Sequence, residues 1–194
     1  IIDAPKMFRE MYQIDIENVL MNDADEVFWK CNGISVKKLK LHGGTYPFML
    51  CRNLRIDGLE SDSKYIFQYV KDMELRNARI TTKDALWECE NVTVYDSELN
   101  GEYLGWHSRN LRLVNCRISG TQPLCYAENL TLENCIMDSS CDLAFEYSSV
   151  HATINSPVRS IKNPRTGCIK AESYGEIIID GNIKAPADCR IELL

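Results

Sequence analysis

The sequence predicts an all-β fold, a single-stranded parallel β-helix of about eight stacked coils with three short strands per coil. Three observations predict it. Apolar pairs recur every 19 or 20 residues, a polar residue separates the members of each pair, and a corner residue such as Asn, Asp or Gly follows.

The repeat is read in NLRIDGLES from Asn53, DMELRNARI from Asp72, NVTVYDSEL from Asn91, NLRLVNCRI from Asn110 and NLTLENCIM from Asn129, each starting 19 residues after the last. Earlier coils run at 20. Ile14, Ile34, Leu54, Met73, Val92, Leu111 and Leu130 form one apolar column, and Ile16, Val36, Ile56, Leu75, Val94, Leu113 and Leu132 a second. Between them stand Asp15, Ser35, Arg55, Glu74, Thr93, Arg112 and Thr131, all polar. This period of two marks a strand with one buried face. The next column is Asn18, Lys38, Gly58, Asn77, Asp96, Asn115 and Asn134, chiefly residues that tolerate the backbone of a corner.

A second strand carries Val19, Leu39, Leu59, Ala78, Ser97, Cys116 and Cys135 in one column. Met21, Leu41, Ser61, Ile80, Leu99, Ile118 and Met137 stand two residues later. A third apolar column, Phe8, Phe28, Phe48, Phe67, Leu86, Gly105, Leu124 and Leu143, implies a third strand and a triangular section. Helices would need a longer apolar spacing, and leucine-rich repeats a denser leucine frame. A coil that buries only a few side chains does not offset the entropy of ordering its backbone, so the coils must stack.

The chain reads as one domain, 1–194, whose pattern drifts over 149–194 into an irregular last coil and C-terminal cap. Residues Ile1 to Met11 supply only part of a coil. This leaves an open rung edge, expected to be covered by upstream coils of a longer protein or by a second copy in an edge-mediated homo-oligomer. A net charge of −6, with Lys and Arg scattered singly, argues against nucleic acid. The absence of a long apolar run argues against a membrane. Nine cysteines, an odd number with no CxxC pair, suit free thiols and a cytoplasmic location.

The strings APKMFRE, ECENVTVYDS, GEYLGWHSRNL, LCYAENLTLENC, LAFEYS and SIKNPRTGCIKA resemble the bacterial family called domain of unknown function 3737, over essentially the whole chain. The resemblance implies a right-handed parallel β-helix of the pectate-lyase-like superfamily, with further coils on the N-terminal side. It implies no activity and no catalytic residues.

Candidate site residues come from the column Arg9, Trp29, Met49, Gln68, Trp87, Trp106 and Cys125, which follows the third apolar column and is expected to face outward. Trp87 and Trp106 then lie on neighbouring rungs, with Tyr103 and Tyr126 close by, as an aromatic platform for a sugar ring or another ligand. The same rings would equally fill a wide corner of the coil. Glu88 and His107 are the one plausible acid/base pair, and a surface charge pair explains them as well. Glu88 and Glu146 fall three rungs apart, on the order of 14 Å. That exceeds the separation of paired glycosidase carboxylates. Cys116 and Cys135 read as small core residues, and His42 and His151 as surface residues without partners. No metal or cofactor is expected, since the columns converge no ligand set and the chain has no nucleotide loop, HExxH or GxSxG. The sequence thus points to a non-catalytic binding or scaffold module for carbohydrate or protein. A carbohydrate-active enzyme, of lyase or glycoside hydrolase type, is the alternative.

Overall fold

The computed structural model describes residues 1–181 and 188–194. Residues 182–187, within the segment expected to cap the stack, lie outside the described residues. The first strands are β1 (Ile2–Asp3), β2 (Tyr12–Asn22), β3 (Asn32–His42), β4 (Arg52–Ser61) and β5 (Lys71–Thr81). The middle rungs each carry two, β6 (Glu90–Tyr95) with β7 (Glu98–Asn100), then β8 (Arg109–Val114) with β9 (Arg117–Ser119). The last are β10 (Leu130–Met137), β11 (Ser149–Lys162), β12 (Thr166–Ile178) and β13 (Asp188–Leu193).

Every strand pairs in parallel, within one sheet that follows chain order along its main path. The register is that of the columns. Ile14 pairs with Ile34, Ile34 with Leu54, Leu54 with Met73, Met73 with Val92 and Val92 with Leu111. The stack makes about ten turns of about 19 residues rather than eight. The difference arises because pairing continues past Asn134 after the Asn corner is lost: Leu132 pairs with Ala152, Ala152 with Ile169 and Ile169 with Ile191.

The corner column has a physical signature. Asn18, Lys38, Gly58, Asn77, Asp96, Asn115 and Asn134 all have positive φ, between 50° and 77°. A second left-handed column precedes the first strand side, at Gln13, Gly33, Asn53, Asp72, Asn91, Asn110 and Asn129. There the side chains form a ladder, Asn129 Nδ2 donating to Asn110 Oδ1 (2.8 Å), Asn110 to Asn91 (2.8 Å) and Asn91 to Asp72 (3.0 Å). Asn and Asp adopt this backbone at low cost, and each amide donates to the rung before it.

The third side is not a strand in most coils. It is a run of overlapping tight turns: Met49 N donates to Tyr46 O (3.3 Å) and Cys51 N to Phe48 O (3.2 Å). Phe48 and Leu50 take positive φ at the third position of each turn, and Pro47 sits at the second position of the first, the pattern of a type II turn. Two consecutive residues, such as Val27–Phe28 or Ile66–Phe67, therefore face the core, which strand alternation forbids. The turns still bond between rungs, with Phe48 N donating to Val27 O (2.9 Å) and Phe67 N to Pro47 O (3.1 Å).

The core is continuous along the axis. Phe8, Phe28, Phe48 and Phe67 stack with ring centroids 5.3, 4.7 and 5.0 Å apart. Phe145, not Leu143, ends this column: it is fully buried and its N–H donates to Pro123 O (3.2 Å). The turn at Asp138–Cys141 inserts extra residues into that coil and displaces the 19-residue spacing. Cys116 and Cys135 are buried core residues as expected, and all nine cysteines are thiols. Burial pushes Cys141 up to about 12, and Cys89 is also raised by burial. At the N-terminal end β1 pairs only with Met21 and Asn22, so Tyr12 to Leu20 form an open edge among the described residues. No helix among those residues is long and apolar enough to cross a membrane.

Candidate ligand-binding groove

The turn geometry decides which side chains of the third side meet. Each turn run sends two residues inward and leaves the next two to the outside, and those outer columns carry the aromatic residues. Trp87 and Trp106 lie on neighbouring rungs with centroids 5.5 Å apart and planes inclined by 30°. Tyr103 meets Trp106 edge-on at 4.9 Å, and Tyr126 does so at 5.1 Å. His107 stacks on Tyr126 at 4.9 Å with planes 16° apart, and Tyr147 follows Tyr126 at 5.7 Å.

The structure thus brings Trp87, Tyr103, Trp106, His107 and Tyr126 together, but not in one role. Both indoles are half-buried. Trp106 Nε1 donates to Gln122 O (2.6 Å), so this ring is anchored by the neighbouring coil rather than free in solvent. Cys125, placed in the same outward column by its spacing, is fully buried because its small thiol lies close to the backbone, 3.5 Å from Gln122 O and Leu143 O.

Beside the indoles a groove of about 440 Å³ runs along the corner between the third side and the following strand side. One wall is the column Leu50, Tyr69, Glu88, His107 and Tyr126, and the other is Arg52, Lys71, Glu90, Arg109 and Glu128, with Cys89 between. Five rungs contribute, so the groove is roughly 19 Å long at the spacing of paired strands. Glu88 and His107 line it together. Among the described residues they form no ion pair with each other, so the expected acid/base pair is present as neighbours in one groove rather than as a bonded couple. Trp87, Trp106 and Tyr103 do not line it; they pack behind its aromatic wall.

Charge in the groove is largely matched along the axis. Lys71 Nζ lies 2.5 Å from Glu90 Oε2, and Arg109 Nε lies 3.4 Å from Glu128 Oε2. Glu88 is the one groove carboxylate without an ion pair among the described residues. At the far end Glu146, which is buried, accepts from Lys162 Nζ (2.9 Å), and its Oε2 is 3.5 Å from the Tyr126 hydroxyl. The bond to Glu146 holds Lys162 above the usual lysine range, while burial and then the Glu146 charge raise Tyr126. At neutral pH Lys162 is therefore charged and the Tyr126 phenol protonated.

The sequence columns did not single out Arg52, Lys71, Glu90, Arg109 and Glu128. A signal was present: Arg52, Lys71, Glu90, Arg109 and Glu128 form a column of charges spaced by 19, immediately before the Asn column. The Glu146–Lys162 pair had no such signal, since the extra residues near Ser139 shift Glu146 out of phase. His42, expected to be without a partner, has Nδ1 3.3 Å from Asp62 Oδ2. Among the described residues no three His, Cys, Asp or Glu side chains gather as a metal site would require.

No curated protein and no solved structure matches this chain. The family model described as "Protein of unknown function (DUF3737)" matches residues 1–192, on a parallel β-solenoid whose columns carry the strings noted above. The chain belongs to that family.

Proposed function

We propose that this chain is a non-catalytic binding module that takes an extended carbohydrate along the corner groove. The observation that carries the reading is the groove wall itself, in which the stacked His107 and Tyr126 rings stand opposite charged side chains that repeat at the rung spacing. Aromatic faces beside convergent polar groups suit a sugar ring. The groove carboxylates Glu90 and Glu128 are held in ion pairs, which favours binding over acid/base chemistry.

Oligosaccharide-array binding by the chain, beside its His107→Ala variant, tests this. His107 is exposed, so its loss should leave the fold intact. Affinity should fall about tenfold, near the upper end of what an aromatic contact contributes. Unchanged binding by the variant would move the ligand elsewhere. A second reading, a carbohydrate-active enzyme, draws on the unpaired Glu88. It would show as release of reducing ends or unsaturated products from a glycan, lost in Glu88→Gln.

The nine thiols support a reducing compartment such as the cytoplasm. Thiol titration of the protein, denatured without reductant, is expected to find all nine. A disulfide between any two would remove that support.

A further inference from the structure

We infer that the groove selects an uncharged, polyhydroxylated chain and excludes a polyanion; the inference rests on the binding reading above and names its ligand class. Three cations, Arg52, Lys71 and Arg109, share the groove with three carboxylates, Glu88, Glu90 and Glu128, so its charged side chains sum to no net charge. Lys71 and Arg109 are already neutralised by Glu90 and Glu128 on the next rung. Arg52 and Glu88 remain, of opposite sign and two rungs apart.

A chain bearing one carboxylate per unit has no unmatched row of cations to follow here. Arg52 can match one of its charges; the others would meet a pair already satisfied, or come against Glu88, and like charges brought together in a partly desolvated groove are costly. Hydroxyl groups fit the same walls in either direction. They donate to carboxylates and accept from ammonium and guanidinium groups, and such charge-assisted bonds are stronger than neutral ones. Leu50 and the rings of Tyr69, His107 and Tyr126 offer apolar contact for the C–H faces of sugar rings.

A polypeptide is a poorer occupant. The backbone N–H groups along this wall are already used between rungs, Glu88 N to Trp106 O (2.8 Å), His107 N to Cys125 O (3.2 Å) and Tyr126 N to Glu146 O (2.6 Å). No free row of main-chain donors remains there for an added strand. The buried Glu146–Lys162 pair, touching Tyr126, marks one end of the groove.

The test is calorimetric titration of the intact chain with four probes, cellohexaose, xylohexaose, mannohexaose and hexagalacturonate, at low and at high salt. At least one uncharged hexaose should bind, with a Kd that salt changes by less than about twofold, since no counterions are released. Hexagalacturonate should bind at least about tenfold more weakly. Glu88→Lys, which makes the walls net positive, should narrow or reverse that preference. Tighter binding of hexagalacturonate to the unaltered chain, weakened by salt and by Arg52→Ala, would overturn the uncharged class and leave the groove as a binding site. Binding of none of the four would overturn this inference and count against the binding reading itself.

Discussion

Phe48→Ala is expected to destabilise the stack by about 3–5 kcal/mol, the usual range for deleting a buried ring. Phe48 is fully buried between Phe28 and Phe67, with centroids 4.7 and 5.0 Å away. The rungs above and below are fixed by cross-rung hydrogen bonds at this turn, so they cannot close together to fill the space. Equilibrium unfolding in urea measures the loss, and Phe48→Leu, which refills much of the volume, should recover a substantial part. A loss under about 1 kcal/mol for Phe48→Ala would mean that the site collapses freely and that the ring stack is not what holds the third side.

Gly101→Ala is expected to do comparable damage through the opposite fault. A Cβ at Gly101 would lie 1.4 Å from the carbonyl oxygen of Thr82 on the preceding rung, and the residue has φ of +155°. Overpacking and backbone strain together cost on the order of 3–5 kcal/mol. The comparison is Gly43→Ala: φ there is +65°, but a Cβ meets nothing within 4 Å. It should lose only the strain of a left-handed residue, about 1–2 kcal/mol. Equal losses for the two variants would show that rung contact at Gly101 is not the cause.

How much of this was legible in the sequence follows from which constraints are periodic. The two strand sides were readable because Ile14 through Leu130 and Val19 through Cys135 obey both the alternation of two and the repeat of 19 or 20. The Asn corner was readable because a left-handed backbone restricts the residue types. The third side was misread as a strand. Its repeat was visible in the Phe column, but its local rule is two residues inward followed by two outward, and only Pro47 and Pro123 hinted at turns. That misreading carried into the site. A strand would have turned the Trp column fully outward, whereas the turns fold Trp106 against Tyr103, Tyr126 and the Gln122 carbonyl. The exposed wall passes instead to Glu88, His107 and Tyr126, one residue further on. Glu146 was weighed only as a distant partner for Glu88, because the insertion in its own coil puts it out of phase and hides its contacts with Lys162 and Tyr126.

The pairing of each rung with the rungs beside it also bears on how such a chain can change length over evolutionary time. Gain or loss of one whole 19-residue unit lengthens or shortens every column, ladder and groove wall together and leaves their faces aligned. A change of one residue inside a strand moves every later side chain of that strand to the wrong face. Insertions are thus channelled to places such as Asp138–Cys141, where a turn absorbs them before the next strand begins. Heredity can therefore adjust the reach of the groove in whole rungs, without redesigning the chemistry of any one of them.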